Sequence, residues 1–193
     1  MRAERHRVRY RFGRDDLLRT RFAISPLIEL AAATYVLRLP SQFPEHKRWV
    51  EDVTRRMSEL SLGLLYAALP LPQGSTTRPS FNALPPVVPH PHIEGELARL
   101  AATDPELVRS DVLRAYPAGV PDAARVFVDD PASGLAELVV QARAWWDVAL
   151  APWWRRISYF LEGEIASRSR ALGDHRRRPG PRRSGPLGDV GRP

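Results

Sequence analysis

Cysteine is absent from the 193 residues. Disulfide scaffolds, thiolate metal sites, thiol nucleophiles and CxxC redox chemistry are therefore excluded together. Long apolar runs are missing as well, and no stretch approaches the roughly 20 residues that a membrane-spanning helix needs. The N-terminus carries Arg2, Arg5, Arg7, Arg9 and Arg11 but leads into charged sequence, so it does not read as a signal peptide. The expectation is a soluble, cytoplasmic protein with no membrane partner. A glycine-rich phosphate loop, a Rossmann fingerprint, a G-x-S-x-G elbow and a zincin helix are all lacking. No catalytic residue is assigned, no cofactor is expected, and the chain reads as a non-enzyme.

Lysine is nearly missing too, with Lys47 the sole example. Basic residues are arginines, and alanine, proline and glycine are abundant beside them, which is the stamp of GC-rich coding. Arginine usage then reflects codon supply as well as any preference for bidentate phosphate contacts. The net charge of +7 is concentrated at the two ends. Residues 1–14 hold six arginines against Glu4, and residues 173–193 hold six against Asp174 and Asp189. The body between them is slightly acidic and offers no broad footprint for a phosphate backbone.

What is present is helical periodicity broken by 19 prolines. The expected fold is mainly α: one helical domain over residues 8–172 with a short N-terminal strand, a long proline-rich loop, and a disordered basic tail over 173–193. Val8, Tyr10 and Phe12 alternate with arginines and make the strand candidate. Asp15 and Asp16 start a short helical turn. Ser25-Pro26 pairs a capping hydroxyl with a proline suited to the first helical position, predicting a helix to about Leu39 that Pro40 stops. Leu27, Leu30, Ala31, Thr34 and Tyr35 fall on its buried stripe.

Pro44 opens the next helix, with Trp49, Val50, Val53, Met57 and Leu60 on its apolar side, and Leu62 to Leu69 continue as a more buried segment. Between Pro70 and Pro91 seven prolines predict an irregular loop. Helical spacing resumes over Glu94–Ala101, and Thr103-Asp104-Pro105-Glu106 reads as a capping box between Thr103 and Glu106. Asp130-Pro131 begins the longest periodic stretch, in which Leu135, Leu138, Val139, Ala142, Trp145, Trp146, Ala149 and Leu150 share a stripe. Pro152 kinks or restarts it, and Trp153, Trp154, Ile157, Phe160, Leu161 and Ile165 continue the period to about Leu172. From Gly173 the arginine-, proline- and glycine-rich sequence has little to bury.

Three groups invite a functional reading. His90-Pro-His92 is the tightest histidine pair, yet His-x-His in a proline-rich loop is a weak metal signal, and no metal site is assigned. Trp145, Trp146, Trp153 and Trp154 could wall an aromatic pocket for a planar or cationic ligand, although core packing or a dimer surface satisfies the same spacing. Arg176, Arg177, Arg178, Arg182 and Arg183 are the candidate nucleic-acid contacts, acting by charge alone. The acid pairs Asp15/Asp16, Glu51/Asp52 and Asp129/Asp130 fall near expected helix starts, where capping accounts for them.

The segment from Tyr10 to Leu30 resembles the opening of actinobacterial ArsR-type winged-helix transcriptional regulators. Arg21, Phe22, Ser25, Pro26, Leu27, Glu29 and Leu30 carry that resemblance at the family's spacing. Ala149-Leu150-Ala151-Pro152-Trp153-Trp154-Arg155-Arg156-Ile157 is similar to a second marker of the family, and Pro79-Ser80-Phe81 with Pro85-Pro86 is a looser match to its proline-rich loop. The resemblance implies a helical N-terminal domain that senses a small-molecule effector or assists homodimerisation, with DNA as the full-length family's partner. It also implies a DNA-reading domain further on. No helix-turn-helix pattern follows Leu172, so the expectation is a chain truncated or shifted out of frame before that domain. A stand-alone helical ligand-binding or protein-interaction domain is the alternative.

Overall fold

The computed structural model describes Asp16, residues 19–71 and residues 78–177. It contains eight α-helices with defined bounds and, among the described residues, no strand, so the fold is mainly α. The expected strand over Val8–Phe12 lies outside the described residues, as does the tail from residue 178. The described residues belong to two units. One is Phe22–Leu161, and the other joins the stretch up to Arg21 with Glu162 onward. In the latter, Asp16 and Arg19 are helical, and the Thr20 hydroxyl donates to the Asp16 carbonyl at 3.0 Å.

In the larger unit, helix α1 spans Pro26–Arg38, with Ser25 Oγ accepting the Ile28 N–H at 3.1 Å and Pro26 at the first position. A 3₁₀ turn over Pro44–His46 leads into α2, Lys47–Arg56. Val53 is fully buried on its inner face, and Trp49 is half-buried one turn earlier. Glu51 and Asp52 fall in the middle of α2 and not at its start. The extra 3₁₀ turn delays the helix by three residues, and Asp52 instead pairs with Arg55 at 3.3 Å and Arg56 at 2.6 Å. Helix α3 is a single buried segment, Gly63–Ala68.

Helices α4 (Ile93–Ala101), α5 (Pro105–Ala115) and α6 (Asp122–Asp129) follow the proline-rich stretch. The cap of α5 is Asp104, whose Oδ1 accepts the Glu106 N–H at 2.9 Å. With Pro105 fixed at the first helical position, Thr103 comes one residue too early for the expected capping box. It donates back to the Arg99 carbonyl at 3.4 Å. The sequence did not announce α6; a turn at Gly119, whose φ of 128° suits only glycine, separates it from α5.

Helix α7, Pro131–Ala149, is the axis of this unit and packs against α1 to α6. Its cap is Asp130, which accepts the Ser133 N–H at 3.2 Å. Leu135, Leu138, Ala142, Trp145, Trp146, Ala149 and Leu150 are buried as the periodicity predicts, while Val139 is half-buried. At Gly134 a Cβ would stand 2.8 Å from Phe127 Cδ1, so its missing side chain lets α6 and α7 approach closely. A 3₁₀ turn over Ala151–Trp153, built around Pro152, then opens α8, Trp154–Arg177. The helix passes Gly173, where the apolar period ends. Ala171, Leu172, Arg176 and Arg177 are good helix formers, and a single glycine costs only about 1 kcal/mol.

Candidate functional site

The four paired tryptophans do not wall a common pocket. Trp145 is fully buried, and its indole N–H donates to Thr34 Oγ1 at 3.0 Å; that hydroxyl in turn donates to the Leu30 carbonyl at 2.8 Å. Trp146 is buried and meets half-buried Trp154 edge-on, with centroids 4.9 Å apart. These three rings serve packing. Trp153 alone of the four is substantially exposed, at 40%.

Trp153 faces a groove of about 880 Å³ walled by α1, by α2, and by the stretch from Leu150 through the 3₁₀ turn into the start of α8. The α1 wall presents Glu29, Ala32, Ala33 and Val36, residues three and four apart and thus on one helix face. The α2 wall presents Trp49, with Arg48 and Asp52 beside it. Leu150, Trp153, Ile157 and Phe160 form the third wall. Two of its apolar residues remain open to solvent, Trp153 and Phe160, the latter 62% exposed. Trp49 was the residue that sequence spacing placed on a core-facing stripe. In the structure its N–H donates to the Ala149 carbonyl at 3.1 Å and its ring meets Trp145 edge-on at 6.3 Å, which fixes one side of the indole while another lines the groove.

Charge around the groove is unevenly satisfied. Asp52 is held by its two arginines. Glu45 lies 3.9 Å from His46. The Arg156 guanidinium rests over the Phe160 ring, 6.0 Å from its centroid. Glu29 forms no side-chain hydrogen bond or ion pair with the described residues, and burial pushes its carboxyl above the ordinary glutamate value.

Away from the groove, buried polar side chains serve the fold. Glu96, from α4, accepts the Ser25 hydroxyl at 2.8 and 2.9 Å and the Leu27 N–H at 2.8 Å, capping α1 from another helix. Gln141 Oε1 accepts the Leu64 and Leu65 N–H groups, each at 3.1 Å, at the start of α3. At the other end of α3, Asn82 donates to the Ala68 carbonyl at 2.6 Å, Tyr116 to the Ala67 carbonyl at 2.7 Å, and Arg38 to the Leu69 carbonyl. Burial raises the Tyr116 hydroxyl's pKa, keeping it a donor, against a smaller opposing effect of Arg38.

The proline-rich stretch is anchored where it is described. A 3₁₀ turn over Ser80–Ala83 buries Phe81 completely, and Asp111 accepts the Ser80 N–H at 2.5 Å, the Ser80 hydroxyl at 2.6 Å and the Phe81 N–H at 3.2 Å. His90 and His92 are exposed, and no metal-binding group of histidines and acids occurs among the described residues. Arg176 and Arg177 lie on the backbone of α8; Arg178, Arg182 and Arg183 lie outside the described residues. No described helix is long and apolar enough to cross a membrane. Compared with family models, curated protein sequences and solved structures, the chain finds no match.

Proposed function

We propose that the chain is the N-terminal effector or dimerisation domain of a cytoplasmic ArsR-like transcriptional regulator, non-catalytic itself and joined in the full-length family to a winged-helix DNA reader. The supporting observation is convergence. The two segments that carry the family resemblance lie more than a hundred positions apart in sequence, yet both border one groove. Glu29 comes from the Ser25-Pro26-Leu27-Ile28-Glu29-Leu30 segment, while Leu150, Trp153, Arg156 and Ile157 come from the second. The arrangement suits a sensor, because a ligand between α1 and the root of α8 would touch the helix that leads toward the chain's C-terminus.

The test is the coding sequence downstream of Pro193, read in all three forward frames. A winged helix encoded there, in frame or after a single-base shift, supports the proposal. Its absence in every frame overturns it. A stand-alone ligand-binding domain is the second reading, favoured by the groove's volume, which falls within the range of about 300–1,000 Å³ typical of small-molecule sites.

A further inference from the structure

We infer that the groove between α1, α2 and α8 is a binding site for an aromatic or amphiphilic organic cation, with Glu29 as its counter-ion and Trp49, Trp153 and Phe160 as its walls. The inference takes the groove as the effector site of the proposed regulator domain and names the chemistry of its ligand.

Three observations converge on that class. First, the groove is ligand-sized and mostly apolar, and three aromatic rings, from α2, the Ala151–Trp153 turn and α8, open onto it. Aromatic faces carry negative quadrupole density, so a positive charge held among several rings is attracted to each of them. Second, Trp49 is pre-oriented by its bond to Ala149 and its edge contact with Trp145, so binding has little ring entropy to overcome on that wall. Third, Glu29 is the acid at this groove that the protein leaves unanswered. Asp52 already has two arginines and Glu45 has His46 beside it, whereas Glu29 sits half-buried on an apolar helix face with no cation or donor among the described residues against its carboxylate. A partly desolvated carboxylate without a partner is costly to the empty protein, and an incoming cation removes that cost.

Arg48 and Arg156 also line the groove and would favour an anion instead. Arg156 is engaged with the Phe160 ring and both arginines are exposed, so water already solvates their charge; little is gained by pairing them. The desolvated group sets the preference.

The experiment titrates the full chain with rhodamine 6G, a planar aromatic cation, and in parallel with the anionic fluorophore anilinonaphthalene sulfonate, reading tryptophan quenching. Saturable binding of the cation is expected, tighter than that of the anion. Glu29→Gln should weaken the cation about fivefold while leaving the anion unchanged or improved. Ala32→Phe, a change on an exposed position of the α1 wall, should fill the groove and abolish both, with circular dichroism confirming that each variant is folded. Absence of saturable cation binding, a preference for the anion, or cation affinity indifferent to Glu29→Gln would overturn the inference. None of these outcomes touches the regulator assignment, which stands or falls on the downstream coding sequence.

Discussion

The two sides of α1 are built on opposite rules. Toward α3, α4 and the Ser80–Ala83 turn, almost every buried polar atom is matched: Glu96 to Ser25 and Leu27, Asp111 to Ser80 and Phe81, Gln141 to Leu64 and Leu65. Toward α2 and α8, aromatic rings stand open and Glu29 has no side-chain partner among the described residues. The contrast separates structure from function within one sequence. Satisfied polar contacts specify which segments meet, because each wrong arrangement would orphan a donor or acceptor. A half-buried carboxylate beside uncovered rings adds nothing evident to the fold, which is why the proposed ligand is placed on this side.

Perturbing each side sharpens the contrast. The largest effect belongs to the matched side: Phe81→Ala removes a ring with no solvent exposure and should cost about 4 kcal/mol in urea denaturation. A cost under about 1 kcal/mol would mean that the proline-rich stretch is not anchored as described. Next comes Gln141→Ala, which strips the acceptor from two N–H groups at the start of α3 and should cost about 2 kcal/mol. On the open side, Trp153→Ala should lower stability by less than about 1 kcal/mol while removing the cation binding, a split that a packing residue could not show. The smallest effect is a gain. Because burial raises the Glu29 pKa, the native state holds that proton more tightly than the unfolded chain does. The stability so contributed is present at acid pH and lost as pH rises through the raised value. Glu29→Gln should therefore be slightly more stable than the parent at neutral pH, by less than about 1 kcal/mol for a half-exposed group, with the difference vanishing in acid. Thermal melts at both pH values read it.

Local chemistry was legible in the sequence and tertiary chemistry was not. Ser25-Pro26 and Asp130-Pro131 marked helix starts correctly because a cap and its N–H lie within three residues of each other. The stripe of α7 was legible for the same reason, since period alone decides which face is apolar. Periodicity does not say what that face meets. It therefore grouped Trp145, Trp146, Trp153 and Trp154, although the structure buries two, half-buries one and exposes one. Trp49 carried the matching ring from a hundred positions away, and only the fold brought it to Trp153's groove. The burial of Phe81 was hidden similarly. Proline density spoke for an irregular loop, and the carboxylate that holds it sits thirty residues later, at Asp111.

Helix α3 is six residues long, far below the length at which a helix persists by itself. Its first N–H groups wait for Gln141 and two of its carbonyls for Asn82 and Tyr116, all encoded downstream, whereas Arg38, which reaches the Tyr66 carbonyl, is made earlier. During synthesis this segment must therefore leave the ribosome as uncommitted, apolar chain and stay so until α7 has also emerged. For that interval Leu64, Leu65 and their neighbours lack the partners that bury them in the finished core.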